Sequence, residues 1–392
     1  MRKTLLTFLL LANSLWAISL SDVISASLEK NPSLRAIDAR LEANAISVEI
    51  AGKFENPQLL LSKNTLDSAQ PMSQSVATIN QKILYFSKLD SKRKVVLARE
   101  GVLKEELKFA KVELVRRIKE EAYAIWELGE LKKIINEYVQ LTRQNVELHE
   151  AYVSDAKNHH MGIMKAKLSL AELEIRESSL NSKIDSAYAR LSQLAAFEVS
   201  DLRIALEMGE KPDLKLSLLA MTNNPSVAIK DKELLAKNAE VALADANRYP
   251  DFNLMLGYAH REKFDDYFNF GVGVSLPIYG TEDAKKEERK AEALSVASQG
   301  EDVKTSVNAT LKTYYAQMLS AYEIYHIIQD DALGQIEHMF EISGSSISTG
   351  GDLFKYVDVL FSKLKLEEKS VGAVSDYARA QAKISALKGE LQ

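Results

Sequence analysis

The sequence predicts a mainly α-helical protein with a small β part, built as two tandem repeats of long helical hairpins, each carrying two strands. Three observations point there. A set of motifs recurs at one fixed offset along the 392 residues, the stretches 88–157 and 281–343 hold no proline, and short segments between them alternate apolar with small polar residues. The composition sets the frame: 46% hydrophobic, 27% charged, 50 Lys+Arg against 55 Asp+Glu. It excludes a disordered chain, a collagen and a helical multispan membrane protein. The charge balance argues against a nucleic-acid partner, which would call for a basic excess. With zero Cys there are no disulfides, thiolate zinc sites, cysteine nucleophiles or lipid-bearing N-terminal Cys.

Residues 1–17, MRKTLLTFLLLANSLWA, read as a secretory signal peptide. Arg2 and Lys3 precede the apolar run Leu5–Ala12, which as a helix covers about 12 Å against the roughly 30 Å of a bilayer core. Ala17 is the expected last residue removed. Loss of Arg2 and Lys3 takes the net charge from −5 to −7. No later run is long and apolar enough for a spanning helix, so membrane entry requires a barrel.

Asn31-Pro32-Ser33 returns as Asn224-Pro225-Ser226, and Pro57 returns as Pro250, both after 193 residues. The same offset aligns Tyr85-Phe86 with Ile278-Tyr279. These points define repeat 1 over 18–212 and repeat 2 over 213–392. Each repeat opens with a short helix (about 20–30, and 214–223) that stops at the Asn-Pro break, because proline disfavours helical geometry in the residue before it. A second helix follows at about 33–54 and 226–248. Strands come next, within about 57–86 and 250–279. In 268–276, Phe268, Phe270, Val272, Val274 and Leu276 alternate with Asn269, Gly271, Gly273 and Ser275, a period of two with one apolar face. Leu254, Leu256 and Tyr258 repeat that pattern more weakly. Around Ala77–Ile83 both faces are mixed. Helical hairpins at about 88–196 and 281–390 complete the repeats. Val96, Leu103, Leu107, Ala110 and Leu114 keep coiled-coil spacing. Reversals are expected near His159–Gly162 and in the Gly/Ser-rich stretch Ser343–Gly351.

Four strands cannot close a barrel, and open edges in lipid leave unpaired amides costing several kcal/mol each. Two copies give eight strands, which pack solid; three give twelve, enough for a lumen. The expectation is a homotrimer with a 12-stranded β-barrel. The sequence at this point resembles the TolC-type outer-membrane efflux channels over essentially the whole mature chain. The resemblance is carried by LSDVISASLEKNPSLRAIDARLEA from Leu20, its second copy at Asn224-Pro225, GVSLPIYGTEDAKKEERKAEA from Gly273 and GGDLFKYVDVLFSKLKLEE from Gly350. It implies an outer-membrane channel of a Gram-negative cell with its helices in the periplasm. Such a channel is the passive exit duct of a tripartite efflux pump or a type I secretion system, with a periplasmic adaptor and an inner-membrane pump as partners. Residues 81–86 lack the proline usual at the family's strand exit.

No catalytic motif is present, no cofactor is implied, and the chain is expected not to be an enzyme. Two carboxylates follow the second reversal. Asp352 is read either as a helix cap after Gly350-Gly351 or, with Asp358, as an acidic ring repeated around a pore. Gly162, Gly350 and Gly351 mark the turns that an adaptor would grip. His159, His160, Met161 and Met164 combine imidazole with thioether, a donor set suited to copper or silver, and raise the heavy-metal branch of the family. Tyr85, Phe86, Tyr267, Phe268 and Tyr279 at strand ends fit an interfacial belt, with hairpin packing as the other reading. The competing function is a periplasmic coiled-coil adaptor or scaffold, which usually has one hairpin flanked by strand-rich domains.

Overall fold

The computed structural model describes residues 18–65, 72–152, 157–214, 223–347 and 353–391, with the backbone alone for 151–152, 157–160 and 346–347. In chain order the elements are β1 (Ile18–Ser19), α1 (Leu20–Lys30), α2 (Pro32–Ala51), β2 (Gln58–Lys63), β3 (Gln74–Ile83), α3 (Phe86–Tyr152), α4 (Lys157–Ala195) and β4 (Leu202–Arg203). They continue with α5 (Pro225–Ala246), β5 (Phe252–Arg261), β6 (Tyr267–Val274), α6 (Thr281–His326), a π-helical turn (Ile327–Ala332), α7 (Leu333–Ile347) and α8 (Leu353–Leu387). Most of the short helix expected at 214–223 falls on 215–222, outside the described residues.

The Asn-Pro breaks work through local hydrogen bonds. Asn31 caps the end of α1 with its amide donated to the Ser27 carbonyl (2.9 Å), and Pro32 opens α2. Asn224 Oδ1 accepts from the amides of Ser226 (3.0 Å) and Val227 (3.1 Å), with Pro225 at the first helical position. Proline suits that position because its missing N–H would have had no helical partner.

The chain forms two compact units, each drawing on both repeats. The first comprises 33–110 and 223–307 and holds a four-stranded sheet in the order β2-β3-β5-β6, antiparallel throughout. The repeats join at its centre, where β3 pairs with β5 from Gln74–Arg261 to Ile83–Phe252. At the helix end of this sheet the buried Lys88 Nζ donates to Asp251 Oδ1 at 2.7 Å. The Asp251 amide donates to Ser275 Oγ (2.8 Å), and the Ser275 amide donates to the Asp251 carbonyl (2.9 Å). These bonds tie the exit of β3, the entry of β5 and the exit of β6 together. Arg40–Glu106, Lys237–Glu292 and Arg289–Glu240 link its helices, each worth little where exposed.

The second unit comprises residues up to Pro32, 111–222 and 308–392. On α3, the buried positions Val115, Ile118, Ala122 and Ile125 follow a 3-4-3 spacing; on α8, Leu353, Val357, Leu360 and Leu364 follow a 4-3-4 spacing. This is the periodicity of apolar seams between helices, and each fully buried Leu or Ile stabilises by roughly 1.5–3 kcal/mol. One core cluster joins Ile135, Tyr138, Val146, Leu173, Leu180, Leu360 and Leu364; another joins Leu311, Met318, Ala321, Tyr377, Ala380 and Ile384.

The first expected reversal needs correction, and the second is described only in part, because 348–351 lie outside the described residues. Residues 157–162 are the first turns of α4, so His159–Gly162 is helix, followed by Ile163, Lys165 and Ala166, of which Ile163 and Ala166 are buried in the seam. A single glycine in a well-packed helix is tolerated at about 1 kcal/mol. The helix α7 also runs through Ser343-Gly344-Ser345 to Ile347. Its serines turn their hydroxyls back onto the helix: Ser343 Oγ donates to the Met339 carbonyl and Ser345 Oγ to the Ile342 carbonyl.

Candidate functional site

The four strands divide their side chains between two faces by register. One face carries Leu59 and Leu61, then Ala77, Ile79, Gln81 and Ile83, then Phe252, Leu254, Leu256 and Tyr258, then Phe268, Phe270, Val272 and Val274. Phe268 is 75% exposed, Phe270 73% and Leu61 71%. The other face carries Ser62, Thr78, Asn80, Lys82, Asn253, Gly257, Asn269, Gly271 and Gly273, with Leu60, Val76 and Met255 among them. An apolar face of this extent left in water is unfavourable, and a contiguous exposed patch marks a membrane or partner surface. The division matches a barrel wall, apolar toward lipid and small or polar toward a lumen. The edge strands β2 and β6 have no second partner among the described residues. No helix among the described residues is long and apolar enough to cross a membrane.

Aromatic side chains gather where the sheet meets its helices. Tyr279 is 89% exposed and Phe86 79%. Tyr85 stacks on Tyr249 with ring centroids 4.8 Å apart. Tyr249 escaped the sequence reading; Pro250 immediately after it is the one signal that marks it. At the β5–β6 hairpin, Asp266 accepts from Tyr258 Oη (2.5 Å) and from the Arg261 amide (3.0 Å), and lies 3.0 Å from His260 Nδ1. These bonds pull its carboxyl down to about 2. The Arg261 guanidinium lies over Phe264 and Tyr267, with 5.2 and 5.1 Å to the ring centroids.

In the second unit, the Lys165 ammonium of α4 forms an ion pair with Asp358 of α8 and sits 3.5 Å from the Phe354 ring centroid. Gly162 is a close-packing residue: a Cβ there would lie 3.1 Å from Leu353 Cβ and 3.4 Å from the Phe354 amide nitrogen. Asp352, Gly350 and Gly351 lie outside the described residues. So do the side chains of His159 and His160; Met161 and Met164 are exposed one turn apart on α4. Sequence reasoning missed Lys165, because its partner lies on the other repeat, and missed the Lys88–Asp251 pair for the same reason.

Two comparisons bear on this arrangement of a two-faced sheet and long helical hairpins, one with family models and one with solved structures. The profile of the outer membrane efflux protein family matches residues 216–390. That stretch, most of repeat 2, is similar to the outer membrane efflux protein family. Its fold superposes on the open state of the MtrE outer membrane channel of Neisseria gonorrhoeae with a TM-score of 0.81 at 16% identity, covering 95% of this chain and 89% of that one. It superposes on the outer membrane protein VceC of Vibrio cholerae with a TM-score of 0.79 at 16% identity, covering 95% and 97%. The CmeC outer membrane channel of Campylobacter jejuni gives 0.78 at 12% identity, covering 94% and 85%. No curated protein sequence matches the chain.

Proposed function

We propose that three copies of this chain close their strands into one 12-stranded barrel and act as the passive exit duct of an efflux system. The observation that carries this reading is the two-faced sheet whose edges β2 and β6 have no second partner among the described residues. Each copy's edge amides find partners only on a neighbouring copy, and the apolar face finds its solvent only in lipid. The same sheet favours a channel over the adaptor reading. The duct works by positioning a water-filled path, with no covalent step, and draws its selectivity from lumen charge and constriction. A periplasmic adaptor and an inner-membrane pump complete the path, with the adaptor contacting the α4–α8 region near Gly162 and the 348–352 connection. Asp358, and with it Asp352, supply acidic charge there, partly offset by Lys165. Reconstitution in planar lipid bilayers tests the reading: stepwise single-channel conductance is expected, and folded, membrane-inserted protein without conductance would refute it.

A further inference from the structure

The α6–α7 rod is interrupted where its neighbours are also weak. Its buried side chains stand at Leu311, Met318, Ala321 and Ile328, three or seven apart, and then at Ile336, eight further on. The π-turn Ile327–Ala332 absorbs the extra residue and keeps Ile336 on the buried side. Such turns are sites of helix bending. Gln329 Nε2 donates to Ser370 Oγ at 3.0 Å, which sets the π-turn beside Ser370 of α8. Gly334 follows the π-turn, and Gly372 lies two residues past Ser370. On α3, the Glu127–Arg379 ion pair lies on one side of Gly129 and Gly372, and Tyr138 beside Glu367 lies on the other.

Packing within the chain requires none of these glycines, since a Cβ at 129, 334 or 372 meets nothing within 4 Å. Each nonetheless weakens its helix by about 1 kcal/mol relative to Ala. At the same level the buried side chains of α8 are small: between Leu364 and Tyr377 they are Ser370, Ala373, Val374 and Ser375.

We propose that this cross-section, made of the π-turn with Gly129, Gly334 and Gly372, is a flexure built into the helical unit. The segments 333–347 and 353–364 bend there as one body against 311–321 and 377–384, without unfolding either cluster. The competing explanation is that a neighbouring copy packs against the glycines.

Hydrogen–deuterium exchange on the intact detergent-solubilised protein separates the two. Amides of 327–334 and 370–374 are expected to exchange roughly tenfold faster than those of 311–321 and 353–364. Combined Gly129→Ala, Gly334→Ala and Gly372→Ala should slow that exchange and leave the size of the assembly unchanged. Deletion of Asp331, which restores a spacing of seven after Ile328, should slow exchange in the same segment. Uniform exchange in the native protein, no slowing in either variant, or loss of assembly in the alanine variant would overturn the flexure. The readout is independent of conduction, so it stands apart from the duct reading.

Discussion

Lys165 and Asp358 lie 193 positions apart, the offset that relates the two repeats, so equivalent residues of α4 and α8 form an ion pair with each other. The ammonium offsets the carboxylate, and in the duct proposed above, with Asp358 at its entrance, it would lower the negative field there. Lys165→Gln is therefore expected to raise the cation preference of the reconstituted channel, and Asp358→Asn to lower it. Reversal potentials under a salt gradient measure both, and unchanged selectivity in both variants would remove these residues from the conduction path. Glu367 makes a second residue-level case. Burial holds its carboxyl above the usual range, while Tyr138 donates to it, Lys363 lies 3.7 Å away and Glu137 adds like charge. A raised folded-state value means that the folded chain binds the proton more tightly. Stability from this group is present at acidic pH and is lost as pH rises through the raised value. Glu367→Gln should thus be more stable than the native protein at pH 7, with the difference in Tm narrowing toward the ordinary carboxylate range; a difference independent of pH would contradict this. Asp358 is legible in the sequence as a carboxylate beside a reversal. Neither Lys165 nor the Glu367 environment is, because each depends on a residue more than a hundred positions away.

At the scale of elements, the strand β6 carries the clearest test. Val272 sits mid-strand on the apolar face, paired with Leu254 of β5. An arginine at mid-depth on a lipid face costs about 2–4 kcal/mol, so Val272→Arg is expected to reduce assembly in the membrane sharply. Native yield of the inserted variant would place that face elsewhere. Period-two alternation makes β6 readable from sequence. The strand β3 is harder because Gln81 stands among Ala77, Ile79 and Ile83; its Nε2 donates to the Glu55 and Lys82 carbonyls, which satisfies it at the end of the sheet. The first reversal is misplaced, and the second is too wide at its start, for a related reason. Glycine and serine mark turns statistically, but packing of Gly162 on Leu353 and hydroxyl back-bonding by Ser343 and Ser345 keep 157–162 and 343–347 helical. The π-turn leaves only a faint trace, a single spacing of eight in a pattern of seven.

For the whole molecule, the architecture is legible because it is repeated: two copies of one helix-strand-strand-hairpin unit, punctuated by Asn-Pro, specify the order of elements before any contact is known. Copy number is not written in the pattern and rests on physics. Among the described residues the sheet has two open edges and an apolar face, which the proposed assembly would cover with other chains and lipid, and twelve strands are the smallest multiple of four that leaves a lumen. The most direct measurement is the stoichiometry of the folded, detergent-solubilised protein by light scattering or native mass spectrometry. Three copies per particle are expected, held together until heating. A folded monomer that stays in solution without detergent would contradict the account.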